Sequence, residues 1–404
     1  MTASELLLDL DITGIAHGGT FIARHEGRVV FVADAIPRER VRARISDPTA
    51  GEEGDSRSFW RAETIEVLHA SPHRREHVWA EADISRAPEN RVGGADLGHI
   101  ALDEQRVLKR QVLQEALDKF AGAGLTAPDV EAVDDSDGTG WRTRISLHVD
   151  DDGRIGPFAA RSHRVIEVAS HPLARPAVSE QALLLRDQQP GRVDLVEPGD
   201  GRVRVLPRPE GSRRGKPETV FERIGGTKYR VDASGFWQVH PRAAAMLHSA
   251  VGDALEGRVD PDATHFDLYG GVGLFASTLG QRGATEIVTV ESDRRATEHA
   301  RANLAVYSAK AVTDRVDRFL ARMPEGTRAG AVVLDPPRAG AGRRVVEAIH
   351  ELKPEAVVYV ACDPVALSRD LGTFQKLGWD VTSLRAFDLF PHSHHFEAVA
   401  LLTR

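Results

Sequence analysis

Three short segments hold side chains whose types and positions could do chemistry. The apolar run Val357-Val-Tyr-Val-Ala361 reads as a strand and delivers the only cysteine of the chain, Cys362, with Asp363 and Pro364 opening a helical stretch behind it. At a helix amino terminus the dipole favours thiolate over thiol, which makes Cys362 a candidate nucleophile; a free cysteine is otherwise a small buried hydrophobe. A second strand pattern ends in Asp335-Pro336-Pro337-Arg338. Consecutive prolines can neither continue a sheet ladder nor sit deep in a helix, so they fix the chain just after a carboxylate at the strand end. The third segment, Phe387 to Glu397, reads FDLFPHSHHFE and leads into the last strand pattern. Glu397 enters that strand beside an apolar run, where burial would raise its pKa toward the range of a general base. His392, His394 and His395 suggest a metal, but no other His/Cys set completes a site, and histidines satisfied within a loop are the plainer reading.

A fourth segment, DLYGGVGLFA at 267–276, is a strand end, a glycine turn and a helix start. Gly271 and Gly273 let backbone approach a bound cofactor at a helix amino terminus. Read as Gly-x-Gly-x-x-Ala, with Glu291 at the end of the next strand pattern, the segment fits a ribose-clamping arrangement. Dinucleotide and S-adenosylmethionine sites share this form, and so does a tight turn without a ligand. Asp335-Pro-Pro in such a sheet favours the methyl donor over a nicotinamide, although the tripeptide alone is also a plain strand stop.

Regular alternation of strands and helices positions these segments. After Pro241 it continues to the end of the chain, which means a mostly parallel, doubly wound sheet with ligands at the strand carboxyl ends. Residues 4–70 read instead as short strands broken by turn residues, the pattern of a small closed barrel. A polar stretch at 71–100, a helix from Asp103 to Phe120, and strands around Asp151-Asp152-Gly153 follow. The expected class is multidomain α/β: an OB-like barrel at 1–70, an α+β region at 71–235 and a Rossmann-like domain at 236–404. With 41% hydrophobic and 28% charged residues the chain is too apolar for disorder. One cysteine excludes an internal disulfide framework and an all-cysteine cluster. The acidic amino terminus and the lack of a long apolar run lead us to expect a cytoplasmic protein without a membrane partner. A net charge of −8 argues against blanket nucleic-acid affinity. A local exception runs from 202 to 230, where Arg202, Arg204, Arg208, Arg213, Arg214, Lys216, Arg223, Lys228 and Arg230 could track a phosphate backbone or form a solvated hairpin.

DLYGGVG, VVLDPPRAG, YVACDP and FPHSHHFE, in this order, resemble the RNA (uracil-C5)-methyltransferase family, which makes 5-methyluridine in transfer and ribosomal RNA. The phrase SGFWQVH at 234–240 is similar to the family's Phe-x-Gln segment, and residues 1–70 resemble its RNA-binding TRAM barrel. The resemblance implies S-adenosylmethionine held by Gln238, Tyr269, Glu291 and Asp335, with Asp317 on the adenine side, next to the backbone approach read at Gly271 and Gly273. It implies Cys362 as nucleophile, Glu397 as base and no metal. Leu274 stands where the family often has Asn. Val92-Gly93-Gly94-Ala95 has the frame of the family's Cys-Gly-Gly-Cys cluster segment without its cysteines, and His171 replaces a further one, so no iron–sulfur cluster is expected.

The chemistry suits these residues. C5 of uracil is too weak a nucleophile to take a methyl from a sulfonium, so a thiolate must first add to C6; a base must later remove the C5 proton. The target base must leave its stack, and Trp141, Arg142, Arg144 and the 202–230 segment are expected to hold the RNA around it, ribosomal ahead of transfer RNA, with the enzyme a monomer. The rival readings are methylation of an exocyclic amine through Asp335-Pro-Pro with Cys362 inert, a catalytically silent RNA-binding protein, and a nicotinamide enzyme.

Overall fold

The computed structural model describes residues 6–46, 58–122, 124–212, 215 and 217–404. Five strands, β1 (Leu7–Ala16), β2 (Thr20–His25), β3 (Arg28–Ala33), β4 (Arg40–Ile45) and β5 (Phe59–His69), close into a barrel in the order β1-β2-β3-β5-β4. Alternation along these strands sends Leu10, Ile12, Phe21, Val30, Val32, Val41 and Trp60 inward, and closure leaves no free edge.

Helix α1 (Leu102–Phe120) and the short β6 (Val130–Ala132) come next. They fall in the stretch expected to be a separate α+β region, yet they belong to the carboxyl-terminal sheet: Val130 pairs with Ala386, and Leu113 and Leu117 share a core with Leu367, Leu371 and Phe374. A strand of three residues has too little pattern to announce its partner. The pair is anchored by Lys109 Nζ on the Asp388 carboxylate at 2.5 Å, with both side chains almost fully buried.

The middle of the chain forms a four-stranded sheet, in the order β10-β9-β7-β8, from β7 (Arg144–Val149), β8 (Ile155–Gly156), β9 (Gly191–Val196) and β10 (Arg204–Pro209). Helix α2 (Pro176–Leu183) covers it, and β11 (Thr219–Ile224) and β12 (Thr227–Asp232) form a separate hairpin.

The remaining elements alternate as the sequence pattern predicts: α3 (Ala243–Ala254), β13 (Thr264–Leu268), α4 (Leu274–Gln281), β14 (Glu286–Glu291), α5 (Arg294–Asn303), β15 (Ala309–Thr313), α6 (Val316–Ala321), β16 (Ala331–Leu334), α7 (Arg343–Glu351), β17 (Ala356–Ala361), α8 (Pro364–Lys376), β18 (Asp380–Asp388) and β19 (Glu397–Thr403). Together with β6 they make an eight-stranded sheet, β15-β14-β13-β16-β17-β19-β18-β6, in which β19 alone runs antiparallel to its neighbours. Every residue of β16 and β17 is buried, as continuous Ala/Val/Leu runs require when helices cover both faces. Among the described residues, no helix is long and apolar enough to cross a membrane.

Candidate active site

Register brings the candidate residues to one edge of the sheet. Leu268 pairs with Val290 on one side and Leu334 on the other, so the next residues along, Tyr269, Glu291 and Asp335, stand at three adjacent strand ends. One strand farther, Ala361 pairs with Ala398 across the antiparallel β17/β19 ladder. Continuing that register by one residue sets Cys362 opposite Glu397, and side chains facing each other in this way have Cβ atoms about 5 Å apart. The antiparallel β19 is therefore what returns a carboxylate to the cysteine.

These residues line one cleft of about 2080 Å³: Gln238, Tyr269, Gly271, Glu291, Asp317, Asp335, Cys362 and Glu397 all contribute to its wall. Gly273 stands between Val272 and Leu274, which also line the cleft. It begins α4 at φ +93°, and a Cβ there would come within 3.0 Å of Leu304, so its glycine serves backbone conformation and packing behind the wall. Gly270 is tighter still, since a Cβ would meet Thr289 Oγ1 at 2.0 Å. Tyr269 adopts φ +61°, an unusual backbone for a side-chain-bearing residue and a mark of strain at the start of the turn. Glu291 Oε2 accepts from the Gly271 amide at 3.1 Å, fixing the turn against the next strand, and Oε1 accepts from the Asp293 amide at 2.7 Å. Asp317 is more exposed and pairs with Arg315 at 3.0 Å.

Buried carboxyl groups stand in and behind the cleft wall. Burial pushes Asp267 up to about 7 even though its Oδ2 accepts from the Thr289 hydroxyl and the Ala276 amide. Among the described residues its Oδ1 has no hydrogen-bond partner. Burial and the nearby Asp267 push Asp335 up to about 7 as well. Glu397, only 5% exposed, is raised well above the usual carboxylate range by burial and then by Asp335, with Arg338 acting in the opposite direction. Such a wall suits a cationic ligand: a sulfonium carrying an ammonium group offsets carboxylates that otherwise repel one another.

Cys362 departs from expectation. The helix behind it was expected to favour the thiolate, but burial, followed by the charges of Glu397 and Asp335, pushes the thiol up to about 12. The amino-terminal partial charge of α8 is already engaged by Asp363, whose Oδ1 accepts from the Val365 and Ala366 amides at 3.0 and 2.8 Å. Arg338 opposes the rise. Its guanidinium lies 2.9 Å from His395 Nε2, and the loop that carries it is held by Asp370 Oδ2, which accepts from the Ala341 amide at 2.7 Å.

The three histidines each have their own partner, and among the described residues no group of His, Cys, Asp or Glu is arranged to hold a metal. His392 bonds Gln105 and the Asp137 carbonyl, His394 bonds Asp96 at 2.7 Å, and His395 faces Arg338. The Val92–Ala95 stretch is packed as an apolar cluster with Trp79, Trp141, Ala159 and Leu173, and His171 lies edge-on to Trp79.

Other expectations divide. Trp141 is 4% exposed and stacks on His240, so it is core, and Arg144 donates to the Ala233 and Gly235 carbonyls instead of facing solvent. Arg142 does line the cleft. The basic stretch is split between β10 and the β11/β12 hairpin: Arg204 pairs with Asp200 and Glu218, Arg208 pairs with Asp194, and Lys228 sits over Phe221. Arg213, Arg214 and Lys216 lie outside the described residues. Sequence reasoning gave no role to Arg338 or Asp267, although both sit inside motifs it used. It also missed His17 of the barrel, whose partner Asp363 is 346 positions away and which no local signal marks.

A family model described as tRNA (uracil-5-)-methyltransferase matches residues 226–404. An RNA methyltransferase of Streptomyces avermitilis is 40% identical over 98% of this chain and 97% of its own. The 23S rRNA (uracil(1939)-C(5))-methyltransferase of Shewanella denitrificans is 27% identical over 98% and 95%. Among solved structures, the tRNA (uracil-54, C5)-methyltransferase of Pyrococcus abyssi, in complex with S-adenosyl-L-homocysteine, shares the fold with a TM-score of 0.70 over 98% of this chain and 99% of that one, at 21% identity. From a likeness to RNA methyltransferases that runs the length of the chain, the chain belongs to the RNA methyltransferases, and its residues 226–404 match the tRNA (uracil-5-)-methyltransferase family model.

Proposed function

We propose that the chain methylates C5 of a uracil in structured RNA, with ribosomal RNA the preferred substrate class, through a covalent bond between Cys362 Sγ and C6 of the base. The observation that carries this reading is the shared wall: the only cysteine, a buried glutamate opposite it and Asp335 line the same cleft as Gln238 and Glu291. The preference for ribosomal RNA rests on the full-length likeness to the Shewanella denitrificans enzyme. We assign residues 1–70 to a TRAM-like RNA-binding barrel, 71–235 to the RNA-binding middle region with α1 and β6 docked on the catalytic sheet, and 236–404 to the methyltransferase domain.

S-adenosylmethionine would lie along Gln238, Tyr269, Gly271, Glu291, Asp317 and Asp335, and when bound it supplies an electrophilic methyl group. The carboxyl groups of Glu291 and Asp335 in the cleft wall and the glycine turn fit a ligand with ribose hydroxyls and a positive charge. Cys362 does the first work. Its thiol gives its proton to solvent water, helped by the Arg338 charge, and the sulfur forms a bond to C6 while the C5=C6 electron pair moves onto C5. Once C5 is substituted, Glu397 takes the C5 proton, the C5=C6 bond re-forms and the sulfur is released. Burial and Asp335 raise the Glu397 pKa, which makes its carboxylate a stronger proton acceptor than an exposed one. In the free enzyme burial and the charges of Glu397 and Asp335 keep the thiol protonated, with Arg338 acting in the opposite direction.

The test is methyl transfer by Cys362→Ala. Loss of 5-methyluridine formation with S-adenosylmethionine binding intact supports the reading. Retained turnover would assign the chemistry to Asp335-Pro-Pro and an exocyclic amine instead.

A further inference from the structure

The first turn of the barrel reaches the catalytic loops, a contact that an RNA-binding module on a tether would not need. His17 Nε2 lies 2.9 Å from Asp363 Oδ2, while Oδ1 of the same carboxylate caps α8. Asp363 is thus held from two sides, by the helix it starts and by the barrel, and it follows Cys362 directly. Two residues beyond His17, the turn meets the other catalytic loop: a Cβ on Gly19, which sits at φ +74°, would come within 2.9 Å of His394 Cβ and 3.2 Å of Asp96 Cβ. His394 is three residues before Glu397 and is tied to Asp96 at 2.7 Å. Between the turn and these loops lies a small cavity of about 50 Å³ whose lining includes His17, Gly19, Arg338, Cys362, Asp363 and His394. Cys362 therefore has the substrate cleft on one side and the barrel on the other.

We propose that the barrel turn at residues 17–19 forms the back wall of the catalytic centre, with His17 as a positioning residue that holds the Cys362 loop through Asp363. The inference rests on the reading of Cys362 as nucleophile. Geometry supplies one contribution, because a nucleophile set even slightly off line loses much of its rate. Charge supplies the other. Asp363 raises the Cys362 thiol, and a protonated His17 beside it offsets part of that effect; the same contact holds His17 above its ordinary pKa. The other charged or titratable groups facing this turn are Arg338 on the loop after β16, His394 and His395 before β19, Asp96, and Lys109 of α1, which is already paired with Asp388. Because His17 is about half exposed, the charge effect should be modest and the positional one larger.

The test uses the full chain, labelled S-adenosylmethionine, and total RNA from a strain lacking the gene, with 5-methyluridine read by mass spectrometry and Cys362 reactivity read by iodoacetamide alkylation. His17→Ala is expected to lower kcat roughly tenfold with KM for RNA changed less than twofold. It should also slow Cys362 alkylation by about threefold near pH 6.5, where His17, raised by Asp363, carries its proton. His17→Gln, which keeps a donor at the same reach without the charge, should recover most of kcat but leave alkylation slow. Gly19→Ala, which presses on His394 from the same turn, should lower kcat with His17 in place. Wild-type kcat in His17→Ala would overturn the proposal. So would equal losses in the Ala and Gln variants carried by KM for RNA, which would make His17 an RNA contact. Cys362→Ala, run alongside, separates the two levels: if it turns over, the nucleophile reading fails, and if it is dead while His17→Ala is unimpaired, only the wall fails.

Discussion

The charge around Cys362 yields a prediction that can be read on the free enzyme. With the thiol at about 12 against an ordinary 9.0, roughly one molecule in ten thousand carries a thiolate at pH 8, about a thousandfold fewer than for an unperturbed cysteine. Iodoacetamide should therefore alkylate the only cysteine of the chain very slowly, and mass spectrometry follows one site without interference. Glu397 is the largest charge responsible. Glu397→Gln keeps the shape of the side chain and removes that charge, and a like charge at this range typically moves a pKa by about one unit or more, so alkylation should accelerate roughly tenfold. The sign depends on pH. Because the Glu397 pKa is itself raised, the carboxyl is neutral at the acid end, where the two proteins should react alike. They should separate as pH rises and the wild-type carboxyl ionises. Superimposable profiles from pH 6 to 9, or a wild-type thiol that titrates below pH 8, would refute this account of the site's electrostatics.

Three further outcomes are expected. Glu291→Ala removes the acceptor of the Gly271 amide and should weaken S-adenosylmethionine binding by about tenfold or more in calorimetry, which corresponds to about 1.4 kcal/mol. Asp388→Ala strands Lys109 in the core without its partner and should cost about 3 to 5 kcal/mol in urea unfolding, far more than loss of an exposed pair. Asp267 is held near 7 by burial, so the folded state binds its proton more tightly than the unfolded chain does. Its contribution is present at acid pH and is lost as pH rises from about 4 to about 7, and Asp267→Asn should flatten the pH dependence of stability across that window.

The catalytic half of the molecule was legible because its signals are local. Continuous apolar runs marked β16 and β17, and each was punctuated by a residue type, Asp-Pro-Pro or Cys-Asp-Pro, that stops a strand and starts something else. The barrel showed itself by alternation and turns. Long-range partners were not legible. Nothing near β6 says that it pairs with β18, nothing in a β1–β2 turn says that its histidine meets Asp363, and Trp141 and Arg144 look the same in sequence whether they face RNA or carbonyls inside the fold. The pKa of Cys362 was misjudged for a related reason. The helix dipole could be read from neighbouring residues, whereas the opposing carboxylates arrive from β16 and β19.

The bond between Cys362 Sγ and C6 is tested by covalent capture on ribosomal RNA transcripts containing 5-fluorouridine, incubated with S-adenosylmethionine and digested for mass spectrometry. Fluorine at C5 cannot leave as a proton, so the sulfur cannot be released from C6. A stable adduct on the Cys362 peptide that carries a methylated fluorouracil is expected, and none with Cys362→Ala. Methyl transfer to normal RNA without any adduct on the fluorinated transcript, or an equal adduct in the Ala variant, would contradict that bond.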